Sequence, residues 1–496
     1  MIGRRRQFRG GYRFARFEGQ PAARLFTPEG PERVLIPLRQ GFRDAVRPVV
    51  RTGDKVRAGQ TVGIDDTGVS SPVHASVAGV VEEVRGPDGE ENVAGHIVIR
   101  ARPSDSVERL SGCSPNWSDL PAEKIEGLLY ASGVAALGDG GIPTRHSSSI
   151  IAPEDVEAVI VRDTGSEMYH PSLSVILGES RLGAFAEGLR ILQKVLNGAP
   201  VHVAVNSREA ELIERLSNAL QDCDSVRVHP RNPVYPGDFA EVLIPALLGR
   251  PFPHGYAPAN IGVVVLDCQA VVHAYEAVVE GKPLTERIVA LCGPGFRRTS
   301  HARVAIGTPL GDLARQAGAN AEDLRFIKNS TLTGPKLPDA MCPIDRTFST
   351  IVALPERTET GLLPFIRPGP AEDGYARTFL SCLLPTARKA SASLKGEPRP
   401  CVSCGYCQDV CPTGIIPHLL YKYAARGYLE ENLVDELRIF DCIGCNLCSY
   451  VCPSKIGLGR HIKSGREKLL QEGIDNSANI LPFFSLKGLE NEGEAQ

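Results

Sequence analysis

The sequence predicts a multidomain protein of the α/β and α+β classes, built from several small modules in a row. Three observations predict this fold class. The 496 residues exceed what one hydrophobic core supports, so about three or four domains are expected. The segment 120–250 alternates short apolar β runs with helical patterns. Near the C-terminus, eight of the fourteen cysteines recur at a regular spacing.

The composition is that of an ordinary soluble globular protein, with 42% apolar and 23% charged residues. A net charge of −3 and the absence of any nucleic-acid motif predict no nucleic-acid partner. The longest apolar stretch, Ile261 to Val279, is interrupted by polar side chains and reads as a strand followed by a helix. The cysteines outside the regular spacing are scattered, which favours a reducing compartment over a disulfide framework; they are Cys113, Cys223, Cys268, Cys292, Cys342 and Cys382.

Residues 1–36 form a basic N-terminal arm. Six arginines precede the first acid, Glu18. The pair Arg5-Arg6 resembles a twin-arginine export signal, but no apolar region follows, so export is not predicted. Two interpretations of the arm stay open. It is either a solvated tail, or a basic foot that touches anionic lipid or an acidic partner subunit.

Residues 37–105 are predicted to form an all-β barrel-sandwich module. Segments 49–63 and 71–84 alternate apolar residues with Gly-Asp and Ala-Gly turns. The pattern is similar to that of lipoyl and biotinyl carriers, but Lys55, the sole lysine between residues 40 and 100, lies in the wrong turn for modification. The module is therefore predicted to be structural, with His74 as a packed or hydrogen-bonded side chain.

Residues 120–250 are predicted to form a βαβ domain with a parallel sheet. Ala158–Val161 and Val201–Val205 are short β runs, and apolar residues recur at helical spacing between Ala184 and Leu196. Residues 256–325 follow with a strand over 261–266, a helix, and a β segment over 303–310, which has the proportions of a small β-grasp module. Residues 326–388 are assigned as a connecting region and residues 389–400 as a polar, proline-bearing linker.

Residues 401–473 carry two copies of one cysteine motif. Cys401-x2-Cys404-x2-Cys407-x3-Cys411-Pro412 is repeated as Cys442-x2-Cys445-x2-Cys448-x3-Cys452-Pro453. This is the run that binds two [4Fe–4S] clusters, with the fourth cysteine of each motif on the other cluster. The predicted ligand sets are Cys401, Cys404, Cys407 and Cys452 for one cluster, and Cys442, Cys445, Cys448 and Cys411 for the second.

Zinc and disulfides are weaker explanations of the same cysteines. Zinc usually takes two CxxC pairs separated by a longer loop, which leaves the uniform register of the repeat unexplained. Helices are predicted over 415–426, 428–437 and 456–472, and this helical insertion indicates an α-helical two-cluster ferredoxin domain. Residues 474–496 are predicted to be a tail.

The order of modules resembles the RnfC/NqrA family, the peripheral electron-input subunits of ion-translocating Rnf and Na⁺-translocating NADH:quinone reductase complexes. The resemblance rests on segments 71–77, 262–284 and 303–313 and on the cysteine motifs with segment 450–456. It implies an SLBB-like β-grasp module and integral membrane subunits as partners. It also implies a redox donor such as NADH or ferredoxin and a peripheral location on the cytoplasmic side of the inner membrane.

Two segments depart from the RnfC pattern that cradles FMN and nicotinamide. The glycine-rich loop GxGGAGFPT reads Gly138-Asp139-Gly140-Gly141-Ile142-Pro143-Thr144 here, and segment 161–171 lacks the cysteine and one acid of its counterpart. Arg145 and Tyr169 are bulky where a flavin phosphate would need close backbone approach. Segments 163–164 and 291–294 are closer to the NqrA branch, which has no flavin in this domain. The sequence predicts that FMN is not tightly bound.

Electron transfer through the two clusters needs no catalytic acid, base or nucleophile, so no catalytic residue is assigned. Two other functions stay open at this point. One is a complete NADH dehydrogenase module with its own FMN, which flavin fluorescence of the anaerobically purified protein would reveal. The other is a soluble reductase similar to the cobalamin reductases of bacterial microcompartments, which neighbouring genes for shell proteins would indicate.

Overall fold

The fold is described from a computed structural model, which covers most of the chain. The ranges described are 8–41, 45–86, 95–102, 106–146, 151–223, 225–319, 324–356, 388, 390, 399–428, 434 and 436–474. None of the described helices is both long and apolar enough to span a bilayer.

Residues 33–101 form the all-β module, with two small sheets around one apolar core. The first strand of the chain, β1 (Leu25–Phe26), belongs to another sheet. The strands of the all-β module are β2 (Arg33–Pro37), β3 (Arg47–Pro48), β4 (Lys55–Val56), β5 (Thr61–Ile64), β6 (Val73–His74), β7 (Gly79–Arg85) and β8 (His96–Ala101). The sheets run in the orders β2–β8–β7–β4 and β3–β5–β6. Gly63 lies at an irregularity of β5, where a Cβ atom would lie 2.7 Å from a Val46 methyl group. His74 is buried, as predicted.

The α/β domain has a four-stranded, wholly parallel sheet. Its elements are α1 (Ala122–Ala131), β9 (Ala158–Asp163), α2 (Leu173–Val195), β10 (Val201–Asn206), α3 (Ala210–Ala219), β11 (Val226–Arg231), α4 (Ala240–Leu248), β12 (Val263–Leu266) and α5 (Cys268–Val279). The strand order is β11–β10–β9–β12. The first four residues of β9 and all of β12 are apolar and buried, because helices cover both faces of the sheet.

The last strand and helix of this domain correct the predicted β-grasp module at 256–325. Strand β12 pairs with β9 in the parallel sheet, and α5 packs against α2. Both elements therefore complete the α/β domain. The local pattern correctly predicts a strand followed by a helix, but it carries no information about which sheet the strand joins.

A second, mixed sheet has the order β1–β14–β13–β16–β15. Its later elements are β13 (Glu286–Cys292), β14 (Ser300–Ala305), α6 (Leu310–Gln316), β15 (Leu324–Lys328) and β16 (Thr350–Pro355). Strands β13 and β16 are parallel neighbours at the centre, and each also pairs with an antiparallel strand on its other side. The small mixed module thus occupies 286–355, and two of its strands lie wholly or partly in the segment predicted as a connecting region. Its SLBB-like assignment stays a prediction.

The cysteine-rich domain is helical, as predicted. Its helices are α7 (Tyr406–Asp409), α8 (Pro417–Ala424), α9 (Leu447–Tyr450) and α10 (Leu458–Gln471). Single 3-10 turns are described throughout the chain, at Trp117–Asp119, Val134–Ala136, Pro153–Asp155, Pro258–Ile261 and Ile439–Asp441. The helix predicted over 428–437 lies largely outside the described residues. The predicted linker and tail also lie there, apart from residues 390, 399, 400 and 474.

The N-terminal arm is packed from residue 8 onward, which corrects the interpretation as a solvated tail. The amide of Gly11 donates to Val410 O at 2.9 Å, and that of Tyr12 pairs with Tyr235. Phe17 is 3% exposed, because it packs against one face of the mixed sheet. The aromatic residues between the arginines explain the burial. Arg13 and Arg16 face solvent, while the arm binds the rest of the chain through its apolar side.

Candidate metal centre and the neighbouring crevice

The two cysteine motifs adopt one local conformation. In each, the residue before the second cysteine and the residue after it have positive φ: Ser403 and Gly405 in the first motif, Gly444 and Asn446 in the second. A one-turn helix then carries the third cysteine, α7 in the first motif and α9 in the second. The repeated spacing therefore produces two copies of one loop conformation.

The thiols that are electrostatic neighbours of Cys407 differ from those of Cys445. Burial raises the pKa of Cys407 to about 11, and the thiols close enough to raise it further are Cys404, Cys452 and Cys401. We name Cys401, Cys404, Cys407 and Cys452 the outer set. Cys452 comes from the second motif, so this set crosses between the motifs.

The remaining four thiols form the inner set: Cys411, Cys442, Cys445 and Cys448. Burial raises the pKa of Cys445 to about 12, with Cys442 and Cys411 as its neighbours. Burial also raises the pKa of Cys448 well above its ordinary value, and Cys407 of the outer set contributes alongside its inner-set neighbours. The two sets therefore lie next to each other, and Cys411 of the first motif lies with the second.

The chemistry of the two sets fits iron–sulfur clusters. Each set supplies four thiols, and every described cysteine is free of a disulfide. Buried thiols with raised pKa values stay protonated unless a metal ion compensates the charge of the thiolate. Among the described residues, no three His, Cys, Asp or Glu side chains converge closely enough to hold a single metal ion.

The inner set is built into the body of the protein. Tyr235 is fully buried, and its hydroxyl donates to Cys445 O at 2.7 Å. Arg466 donates to Cys442 O at 2.9 Å. Gly10 of the arm packs so closely that a Cβ atom there would lie 2.6 Å from Cys411 O. Three separate parts of the chain thus fix the backbone of the inner set.

The outer set lies at the surface. Cys404 and its neighbour Val402 are exposed, and Val402 keeps 67% of its surface in contact with solvent. Lys422 donates from Nζ to Ser403 Oγ at 3.3 Å, and the His418 ring lies 3.8 Å from the Cys407 sulfur. No thiol of the inner set is exposed. The two sets thus differ at Cys404, the one exposed thiol among them, while Cys407 and Cys452 of the outer set are buried.

The strand order of the parallel sheet reverses between β9 and β12, and we name the region at the carboxyl ends of these two strands the crevice. Open parallel sheets bind ligands at such a switch point. The loop Gly138–Gly141 lies there. Gly138 has φ of +91°, and a Cβ atom on it would lie 2.5 Å from Val265 O. The amide of Asp139 donates to the same carbonyl at 3.0 Å, so the glycine-rich loop is held against the end of β12.

Carboxylates dominate the crevice. Arg162 binds Asp139 through two hydrogen bonds of 2.5 and 2.7 Å and donates to Asp238 O at 3.1 Å. Asp238 in turn accepts from the backbone amides of Thr164 and Ser166. Burial raises the pKa of Asp163 well above its usual range, and the nearby Asp238 adds to the rise. The guanidinium of Arg162 is thus already paired with a carboxylate.

Glu167 lies between the crevice and the inner set. Burial raises its pKa to about 8, and it accepts a hydrogen bond from Ser330 Oγ at 3.1 Å. Its charge also contributes to the raised pKa of Tyr235, the residue that holds Cys445. Glu167 is therefore an electrostatic neighbour of Asp238 in the crevice and of Tyr235 beside the inner set.

The two bulky residues expected to obstruct a flavin are engaged elsewhere. Tyr169 is 1% exposed and packs near Phe17, with its hydroxyl on Glu18 O. Arg145 is half-exposed and pairs with the buried Glu126. The features that shape the crevice are instead Asp139, Arg162 and Asp238. Their pairing joins positions up to 76 residues apart, and no short motif signals it.

Three regions match known domain families. Residues 7–101 match the RnfC barrel sandwich hybrid domain, residues 129–276 the Nuo51 FMN-binding domain, and residues 397–457 the 4Fe-4S dicluster domain. The comparisons support the RnfC family. They give no support to the NqrA branch, which segments 163–164 and 291–294 had suggested. The dicluster match also supports iron–sulfur clusters in the helical domain.

Curated relatives of RnfC type match most of the chain. A component of an ion-translocating oxidoreductase complex of Pseudomonas aeruginosa is 30% identical over 82% of this chain and 48% of its own length. A component of the Na⁺-translocating ferredoxin:NAD⁺ oxidoreductase complex of Acetobacterium woodii is 26% identical over 80% of this chain and 82% of its own. The corresponding Klebsiella pneumoniae protein is 28% identical over 79% and 48%, respectively. The chain spans about half the length of most of these relatives.

Proposed function

We propose that this protein passes single electrons through two [4Fe–4S] clusters, as a peripheral subunit of an Rnf-type membrane oxidoreductase. The observation that carries the proposal is the duplicated cysteine motif. The electrostatic neighbours of Cys407 and of Cys445 support it, because each set of neighbours includes a cysteine of the other motif. Bound [4Fe–4S] clusters take up and release one electron at a time without making bonds to a substrate.

In this proposal, some residues would bind the clusters and others would hold the ligands in place. Cys401, Cys404, Cys407 and Cys452 would hold the outer cluster, and Cys411, Cys442, Cys445 and Cys448 the inner cluster. Tyr235 and Arg466 fix backbone carbonyls of the inner set, which keeps the ligands preorganised. Buried apolar side chains such as Leu447, Val451 and Leu458 exclude water from the sets.

The proposed setting follows from the relatives, which are named as subunits of ion-translocating complexes. We infer that integral membrane subunits are the partners, that NADH or ferredoxin is the ultimate redox donor, and that the protein docks on the cytoplasmic side of the inner membrane. A test is copurification of the tagged chain with membrane subunits from its native host. Recovery of the chain alone after mild detergent extraction would contradict this setting.

The crevice does not fit tightly bound FMN as it stands. A flavin phosphate is an anion that needs free amides or cations, but the Asp139 amide is bound to Val265 O and Arg162 is paired with Asp139. We therefore propose that electrons enter the inner set without a resident flavin in this domain.

The match to the Nuo51 FMN-binding domain favours a second candidate, a complete NADH dehydrogenase module with its own FMN. One experiment separates the two. Anaerobically purified protein is analysed for iron, acid-labile sulfide, zinc and flavin. We expect about eight irons and about eight sulfides per chain with little flavin. One flavin per chain, with rapid bleaching of the clusters by NADH, would establish the second candidate. Zinc, or about four irons, would contradict the two-cluster proposal itself.

A further inference from the structure

Glu167 has a carboxylate that no cation contacts in the described part of the chain. It lies in the segment after β9, and its Oε2 accepts a hydrogen bond from Ser330 Oγ at 3.1 Å. No ion pair of the described residues involves this carboxylate. The charge of Arg162 lowers its pKa, but that guanidinium is bound by Asp139. An ionised Glu167 therefore has a neutral hydroxyl group as its hydrogen-bond partner.

The segment 330–333 connects Glu167 to the second cysteine motif. The Oγ atom of Ser330, which donates to Glu167, accepts a hydrogen bond from the amide of Thr333 at 3.3 Å. Two residues after Ser330, the carbonyl oxygen of Leu332 accepts from Asn446 Nδ2 at 2.9 Å. Asn446 directly follows Cys445 in the chain. One short segment thus binds Glu167 at one end and the loop of the inner set at the other.

Tyr235 is an electrostatic neighbour of both groups. It is fully buried, and its hydroxyl donates to Cys445 O at 2.7 Å. The charges that raise its pKa are those of Glu167 and Cys445, while hydrogen bonds of Ser330 and Thr333 lower it. A charge on Glu167 and a charge at Cys445 therefore act on the same buried side chain. Water does not screen the two charges from each other there, so each affects the energy of the other.

The other titratable or charged groups around Glu167 come from three further segments. Arg162 belongs to β9, Asp238 to the segment before α4, and His170 to the segment before α2, where its Nδ1 lies 3.4 Å from Glu167 O. Burial raises the pKa of Glu167 to about 8, and Asp238 adds to the rise. Burial lowers the pKa of His170 and raises that of Tyr235, so both side chains are neutral around pH 8.

From these contacts we propose that Glu167 takes up one proton when the cluster of the inner set takes up one electron. This inference rests on the proposed two-cluster function. The electron comes from a one-electron donor such as a reduced ferredoxin, which is oxidised as the cluster is reduced. The proton comes from solvent, which reaches the partly buried Glu167, and it forms the O–H bond of the carboxylic acid. Reoxidation of the cluster releases both.

The electron makes the inner cluster more negative, which strengthens proton binding to the nearby carboxylate. Two unit charges about 10 Å apart, at an effective dielectric constant of ~20, change each other's equilibrium constants roughly tenfold. Proton binding favours reduction by the same factor. Below about pH 8, Glu167 is protonated in both redox states, so the potential should not depend on pH. Over roughly the next pH unit, reduction takes up the proton, and the potential should fall as the pH rises.

The test is a redox titration of full-length, cluster-loaded protein, followed by EPR at several pH values on both sides of pH 8. The signal to follow is the one that Cys445→Ser alters, because Cys445 belongs to the inner set. In the unaltered protein its midpoint potential should fall by about 59 mV in total, the one-electron equivalent of a tenfold change. In Glu167→Gln, which cannot ionise, most of this fall should be lost.

Ser330→Ala is the second variant, and it decides the matter if Glu167→Gln does not fold. It keeps the carboxylate but removes the hydrogen bond that lowers the pKa of Glu167. The fall should therefore persist and move to higher pH. A fall that stays at the same pH, or moves to lower pH, would contradict the proposal.

The matched control is Asp163→Asn. Burial also raises the pKa of Asp163 in the same crevice, but the charges that act on Tyr235 are those of Glu167 and Cys445. The control should keep the fall of the unaltered protein. Equal losses in Asp163→Asn and Glu167→Gln would overturn the assignment to Glu167.

Two further results would overturn the proton uptake. They are an inner potential that does not change with pH, and an unchanged fall in Glu167→Gln. Iron analysis of the same samples separates the two levels of the proposal. About eight irons per chain with a pH-independent inner potential would refute the proton uptake alone, and about four irons would refute the two-cluster function.

Discussion

The first and second cysteine motifs have the same spacing and the same loop conformation, but they lie in different surroundings. The first motif presents Cys404 and Val402 to solvent beside a lysine side chain. In the second, Tyr235 and Arg466 bind the backbone at Cys445 and Cys442, and none of its cysteines is exposed. The same local conformation thus occurs once with an exposed cysteine and once without. The difference comes from residues outside the motifs, most of them distant in sequence.

The test with the largest expected effect replaces one proposed cysteine ligand at a time by serine. Because Cys452 lies with the outer set, Cys452→Ser should alter or abolish the EPR signal of the cluster held by the first motif. Cys445→Ser should alter the signal of the inner cluster. Spectra of the two variants, reduced under identical conditions, should lose different signals. Loss of the same signal in both would mean that each motif binds its own cluster.

The second test concerns the arm that encloses the inner set. Gly10→Ala would place a Cβ atom 2.6 Å from Cys411 O at a φ of +74°. We expect a loss of about 2 to 4 kcal/mol in stability, from the strained φ and the collision together. Thermal unfolding, followed by the visible absorbance of the clusters, measures it.

The matched control for the arm is Gly427→Ala. Gly427 has nearly the same φ, +73°, but nothing lies within 4 Å of the added Cβ atom. This substitution should lower the stability of the protein only through the strained φ, by about 1 to 2 kcal/mol. Equal losses in the two variants would mean that the contact between the arm and Cys411 contributes nothing to stability.

The third test removes one hydrogen bond from the inner set. Tyr235→Phe deletes the donor to Cys445 O and leaves a buried carbonyl without that partner, at a cost of about 1 to 3 kcal/mol. The EPR signal or potential of the inner cluster should shift while the outer one stays unchanged. Tyr423→Phe, at an exposed tyrosine, should leave both unchanged. A shift of the outer signal alone in Tyr235→Phe would reverse the assignment of the two sets.

The smallest expected effect concerns Glu167. Its pKa in the folded protein is about 8, against an ordinary value of 4.5, so the folded state binds its proton more tightly than the unfolded state does. The resulting stabilisation is complete below about pH 4.5 and is lost as the pH rises through about 8. Glu167→Gln should flatten the dependence of the urea midpoint on pH in that window.

The control for Glu167 is Glu436→Gln, at an exposed carboxylate of the helical domain. It should leave the pH dependence as in the unaltered protein. If both variants behaved alike, or if Glu167→Gln kept the full slope, Glu167 would not retain its proton between the crevice and the inner set.

The sequence predicts the cysteine motifs, the helical domain around them and the parallel sheet, because each depends on spacing within a short segment. It does not predict the contacts that distinguish the two sets. Tyr235 reaches Cys445 across 210 positions, and nothing around Tyr235 differs from an ordinary buried tyrosine. The placement of β12 is unpredictable for the same reason, since strand pairing is decided by partners elsewhere in the chain.

The sequence also does not predict how the arm packs, for a related reason. Its arginines dominate the composition of residues 1–36, but Tyr12, Phe14 and Phe17 between them decide its position. Phe14 contacts Tyr235 and Tyr450 at 5.4 Å between ring centroids. Burial of three aromatic rings contributes more free energy to the packing of the arm than a few solvent-exposed charges can oppose.

The contact between Gly11 and Val410 also has a consequence for how the protein is made. The arm leaves the ribosome long before the segment that it binds. Translation at about 5 to 20 residues per second leaves roughly 20 to 80 seconds between them. During that time the aromatic side of the arm has no final partner. We expect this segment to need protection during synthesis, and maturation to end when these two distant parts of the chain meet.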